Sequence, residues 1–139
     1  MQFTRQADYA LRALLYLARL EPNEQAPTHK IAEEMLIPRS FLAKIISQLV
    51  IAGLIRTERG ARGGVALAQS TDDISVYDVV VAIDGPINLN ECTRDHDSCP
   101  FGDTCPIHQV WVESEAILVE KLKKSTLTNL LEREARHKA

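Results

Sequence analysis

Apolar residues recur at three- and four-residue steps from the start of the chain. Ala7, Ala10, Leu11, Leu14, Leu17 and Ala18 share one face, and Thr4 stands in a capping position, so a helix is predicted from Thr4 to about Leu20. Two prolines and Asn23 between Glu21 and Pro27 predict a turn. Ile31, Ala32 and Met35 give a short second helix, capped by Thr28 and broken at Ile37-Pro38, because proline cannot continue it. A third helix is predicted from Pro38 or Arg39 to Ala52, closed by Gly53. Leu42, Ile45, Ile46 and Leu49 form its apolar face. Ser40, Ala43, Lys44 and Ser47 form the opposite face, which is small, polar and basic.

The periodicity then changes from helical to alternating. Leu54-Ile55-Arg56-Thr57 and Val65-Ala66-Leu67-Ala68 read as two short strands around the tip Glu58-Arg59-Gly60-Ala61-Arg62-Gly63-Gly64. Ser75-x-x-Asp78 is a capping box for a fourth helix, with Val76, Val79, Val80 and Ile83 apolar and Gly85-Pro86 at its end. Residues 87–105 show no period and read as a long connection, of a kind that often carries function. Pro106 opens a helix ending near Lys124. Ile107, Val110, Trp111, Ile117, Leu118 and Leu122 line one side of it, and Val112, Ala116 and Val119 lie roughly opposite. One small domain cannot bury both stripes, so one of them is expected to meet a second copy of the chain. Thr126 caps a last short helix, Leu127 to about Ala135, and residues 136–139 are expected to fray.

These elements predict a mainly α fold with a small β-hairpin wing. The expected organisation is a winged helix-turn-helix DNA-binding domain over residues 1–86, a ligand-bearing loop over 87–105, and a long C-terminal dimerisation helix with its tail over 106–139. Charge sharpens this picture. The chain of 139 residues carries a net charge of −3, which by itself argues against nucleic acid. Between Ile37 and Ser70, however, Arg39, Lys44, Arg56, Arg59 and Arg62 face only Glu58, a local excess of +4. Arg39, Ser40, Lys44 and Ser47 on the third helix, and Arg59, Arg62 and Gly63 in the wing, are the candidate DNA-binding residues. Arginine suits phosphates and narrow minor grooves, and the glycines would let the backbone approach a duplex closely.

The aperiodic loop holds all three cysteines, Cys92, Cys99 and Cys105, spaced C-x6-C-x5-C, with His108 following at C-x2-H. An odd number argues against a closed set of internal disulfides. Three thiolates and one nitrogen or oxygen donor complete a four-ligand set for an iron–sulfur cluster or a structural zinc. The gaps are wider than the usual zinc knuckle and favour the larger cluster; a zinc-stabilised DNA-binding protein without a sensing cluster is the alternative. No C-x-x-C pair, phosphate-binding glycine loop or Ser-His-Asp set is present, so no enzyme is expected. Neither a signal-peptide pattern nor an apolar run near the roughly 18 residues of a membrane span occurs, and a cytoplasmic protein without a membrane partner is expected.

Asp8-Tyr9-Ala10-Leu11-Arg12-Ala13-Leu14, Ile31-Ala32-Glu33, Leu49-Val50-Ile51-Ala52-Gly53-Leu54, Arg59-Gly60-Ala61-Arg62-Gly63-Gly64 and the three cysteines together resemble the Rrf-two family of bacterial winged-helix regulators. The resemblance covers essentially the whole chain and points to the cluster-binding branch. It implies a homodimer whose long helices cross at the two-fold axis, and a palindromic site on double-stranded DNA. It also implies a regulator, expected to be a repressor, that senses nitric oxide, redox state or cluster supply through the cluster. His108 with Trp111 resembles the surroundings of the histidine ligand in a 2Fe–2S member. Asp8 resembles the carboxylate ligand that the partner subunit supplies in a 4Fe–4S member. The preferred set is Asp8 with a 4Fe–4S cluster, since a remote ligand would couple the cluster to the DNA-binding unit. His108 with a 2Fe–2S cluster is the close alternative.

Overall fold

The computed structural model describes residues 2–61 and 63–138. Its helices are α1 (Arg5–Ala18), α2 (Thr28–Met35), α3 (Arg39–Ile51), α4 (Val76–Asp84), α5 (Glu91–Arg94), α6 (Pro106–Lys124) and α7 (Leu127–Lys138). Strands β1 (Ile55–Glu58) and β2 (Gly64–Leu67) follow α3. The predicted mainly α fold with a hairpin wing is the observed one.

Local chemistry sets most boundaries. Thr4 Oγ1 accepts from the Ala7 amide at 3.1 Å and starts α1. Ser75 and Asp78 form the reciprocal box that starts α4, at 3.1 and 2.9 Å. The cap of α2 differs from expectation: Pro27 occupies the N-cap position without a side-chain bond, and Thr28 is the first helical residue. Proline is tolerated there because the first amides of a helix have no internal acceptor. Between α2 and α3 the chain turns in three residues. Leu36 takes a left-handed conformation, φ 56°, and the Ile37 amide closes onto the Ala32 carbonyl at 2.9 Å. Ile37 is buried and anchors the turn, which fixes α3 across α2.

β1 and β2 pair antiparallel, Ile55 opposite Leu67 and Glu58 opposite Gly64, one residue displaced from the predicted strands. A contact with no sequence signal extends this hairpin. Ala26, just before α2, exchanges two 2.9 Å backbone bonds with Val65. It explains Gly64, where a Cβ would lie 2.4 Å from the Ala26 carbonyl oxygen. At Gly63 a Cβ would lie 2.4 Å from the Glu58 carbonyl oxygen. Both glycines are thus required to build the wing, apart from any approach to DNA.

Leu14, Ile31, Leu42, Ile45, Leu49, Ile55, Val65, Ile74 and Val79 form one core between the helices and the inner face of the hairpin. Leu127 joins it, fully buried. Packing therefore crosses the boundary drawn at residue 106: α7 returns from the long helix onto α1, and Arg19, which caps the end of α1, pairs with Glu134 on α7. That hydrogen bond, with the guanidinium charge, holds the Glu134 carboxyl below its ordinary pKa. A short bridge between Ser75 and Thr126 fastens the start of α7, and the helix continues to Lys138 through the stretch expected to fray. No helix of the described residues is long and apolar enough to cross a membrane.

Candidate functional site

Two surfaces carry the candidate chemistry. The first is the outward side of α3 and the wing. Ser40, Ala43, Lys44 and Ser47 are all exposed, opposite the buried Leu42, Ile45, Ile46 and Leu49. Ser47 Oγ donates to the Ala43 carbonyl at 3.3 Å, a local bond that leaves the helix face small and smooth. Arg39 begins α3 and is exposed. The five cations of this region are not equivalent. Arg56 donates to the Leu67 carbonyl at 2.7 Å and lies 3.6 Å from Glu58, so the fold of the hairpin consumes it. Glu58 also accepts from Gln25. Among the described residues no carboxylate pairs with Arg39, Lys44 or Arg59. Arg62 lies outside the described residues. Gly63 is half-buried in the tip.

The second surface is the 87–105 loop. It is not structureless: it contains the single turn α5 and two 3-10 turns, His96–Ser98 and Gly102–Thr104. Asn90 and Thr93 cap α5, Asp95 accepts from the Asp97 amide at 3.1 Å, and Gly102 turns at φ 58°. Pro106 then sits in the first turn of α6, where its missing N–H costs nothing. These turns wrap the three cysteines around one cavity of about 310 Å³, lined also by His96, His108 and Trp111. All three thiols are free and half-buried. Asn90 Nδ2 lies 3.6 Å from Cys92 Sγ, a donor placed toward sulfur. The entry of the loop is tied to α6, as the Leu89 amide donates to Glu115 Oε1 at 2.9 Å.

His108 thus shares the cavity with the cysteines. Asp8 does not: within one chain it pairs with Arg12 at 2.8 Å, and its side chain is 57% exposed on α1. His96 also lines the cavity, which periodicity and spacing do not indicate. It lies inside the C-x6-C spacer, and its only sequence signal is that position among the cysteines. Its ring meets that of His108 edge to face, centroids 6.0 Å apart, and Nε2 lies 2.9 Å from Asp103 Oδ1.

A helix-turn-helix pair with an unpaired basic face and a following hairpin defines a winged-helix DNA-binding protein. The sequence profile of the Rrf2 family, described as iron-dependent transcriptional regulators, matches residues 3–133, and the chain belongs to that family. It is a DNA-binding transcription regulator, not an enzyme. A protein of Aquifex aeolicus (strain VF5), whose name describes it as an HTH-type transcriptional regulator, is 32% identical over 99% of this chain and 96% of its own. The structure of CymR (YrzC), the global cysteine regulator of B. subtilis, superposes with a TM-score of 0.81 at 24% identity, covering 96% of this chain and 98% of that one. T. potens IscR superposes at 0.77 with 24% identity, covering 96% and 88%. These two likenesses establish the fold.

Proposed function

We propose that the chain is a transcription regulator whose DNA binding is gated by an iron–sulfur cluster held at Cys92, Cys99 and Cys105. The observation that carries this reading is the single cavity lined by three free thiols and His108. The donor set fits the group: three soft thiolates, an imidazole, and a neutral amide beside one sulfur rather than a competing charge. A bound cluster would supply iron sensitive to redox state and nitric oxide. His108 is the fourth donor the fold favours, since it is in the cavity already; Asp8 would have to arrive from a second subunit. Anaerobic Mössbauer spectra of Asp8→Ala and His108→Ala decide between them. His108→Ala is expected to change the iron spectrum and Asp8→Ala to leave it intact. The reverse pattern assigns the ligand to Asp8, and colourless protein with bound zinc overturns the cluster.

The chain's own links provide the coupling. The loop is joined to α6 at both ends, through Glu115 and through Pro106. Periodicity groups Leu118 and Leu122 with Ile107 and Ile117. In the fold Leu118, Val119 and Leu122 are half-buried, with α6 packed beside α4, while Ile107, Val110, Trp111, Val112 and Ile117 are exposed. Ile107, Val110, Trp111 and Ile117, on one side of α6, are our proposed homodimer face, because a monomer rarely leaves such a patch in water. A two-fold dimer would set two copies of α3 on a palindromic operator. Reordering of the loop would shift α6 and so the spacing of the recognition helices. A hundredfold change in affinity needs only about 2.7 kcal/mol between the two states. Ile117, 71% exposed, tests the dimer: Ile117→Glu is expected to give monomers in sedimentation equilibrium with an unchanged circular dichroism spectrum. A variant that remains dimeric removes this face.

Arg59 would contact phosphate and Lys44 the edge of the major groove. Arg59→Ala is expected to weaken operator binding across sequences and to flatten the log–log salt slope by about one unit. Unchanged slope and affinity would exclude Arg59 from the interface.

A further inference from the structure

We propose that His96, Asp103 and His108 form a binding site for one divalent first-row transition ion, built at the cysteine cavity but using none of the cysteines. Their candidate donor atoms all lie within 4.8 Å of one another. The contact between His96 Nε2 and Asp103 Oδ1 is 2.9 Å. Donors about 2.0–2.1 Å from a tetrahedral ion stand about 3.4 Å apart, so small side-chain rotations suffice to admit one. Two imidazoles and a carboxylate are the chemistry of Zn²⁺ and Fe²⁺ sites that keep positions open for water or another ligand. Softer thiolates are not needed.

The three donors come from three separately fixed elements. His96 opens one 3-10 turn, Asp103 sits in the other, and His108 lies in the first turn of α6. Asp95, the cap of the first turn, adds negative potential next to His96. The nearest cation along the chain, Arg94, is engaged by Glu91 at 2.6 Å. His96 and Asp103 side chains are 60% and 76% exposed, so an ion can reach them from solvent. The site needs neither the cysteines nor a cluster. On the cluster reading above, with His108 as fourth donor, the two occupants share one imidazole and exclude each other.

The test uses full-length protein with all three cysteines replaced by serine, titrated with Co²⁺. One equivalent is expected to bind with ligand-field bands alone, and His96→Ala or Asp103→Ala in that background to weaken binding at least tenfold. His29→Ala on α2 is the control and should change nothing. Binding that is absent, or unaffected by His96→Ala, overturns the site. If the serine variant does not fold, Zn²⁺ added to the metal-free chain with its three thiols blocked by methylation gives the same answer by nuclear magnetic resonance. The ring protons of His96 and His108 are expected to shift and those of His29 and His137 to stay; unmoved His96 signals overturn the proposal. Neither readout depends on a cluster, so failure here leaves the cluster reading intact, and loss of the cluster reading leaves this site intact.

Discussion

Replacing any one of Cys92, Cys99 or Cys105 by alanine is expected to abolish the visible absorption of anaerobically purified protein, together with its iron and sulfide. The far-ultraviolet circular dichroism should stay the same. Each thiol is half-buried in a peripheral loop, and none belongs to the hydrophobic core. The stability lost with each sulfur is therefore small, in the range of about 0.5 kcal/mol typical of surface changes. The loss of a thiolate, by contrast, removes one of the three anionic sulfur bonds that would hold the cluster, a heavier loss than that of the fourth donor. Full iron and sulfide content in all three single variants would remove the cysteines as ligands. Loss of the fold in any of them would show that the loop carries structural load as well.

Leu127→Ala is expected to destabilise the protein by about 2–5 kcal/mol, the range for a fully buried leucine. Leu127 is 0% exposed and lies in the same core as Leu14, Ile31 and Leu49. Domains of this size have only about 5–15 kcal/mol in total. The variant should thus show a large fall in urea midpoint, while Arg136→Ala, on the exposed end of α7, should lie within about 0.5 kcal/mol of the parent. The result has consequences beyond stability. α7 follows directly on α6 and packs on α1, so loosening it removes one attachment of α6 to the DNA-binding unit and leaves its packing beside α4. A Leu127→Ala protein with parental stability would mean that α7 is a loosely attached tail.

The contrast between these two regions shows what the chain states locally and what it does not. α1, α3, α4 and α6 were legible because their determinants are close in sequence: the Thr4 cap, the Ser75 and Asp78 box, Pro106, and apolar positions repeating every three or four residues. The hairpin was legible from alternation around Gly60, Gly63 and Gly64. The cysteine spacing marks the loop whose three thiols the fold brings to one cavity.

Other features depend on residues far apart in sequence. Nothing local marks Ala26 as a third backbone partner of the hairpin, yet its bonds to Val65 are what make Gly64 necessary. Periodicity gives the apolar face of α7 but not its destination on α1. It also grouped Leu118 and Leu122 with Ile117, because a helical wheel shows which residues share a side and not where neighbouring helices end that side. Five cations were counted in the basic segment, but pairing with Glu58 and the Leu67 carbonyl takes Arg56 out of the set. His96 and Asp103 are seven residues apart and ordinary in composition, and only the two 3-10 turns bring them to His108. The sequence by itself determined the elements, the wing and the cysteine loop, since those rest on interactions within a few residues. The tertiary structure decided which polar groups are spent on the fold and which remain unpaired at the surface, since that depends on long-range contacts with no local signature.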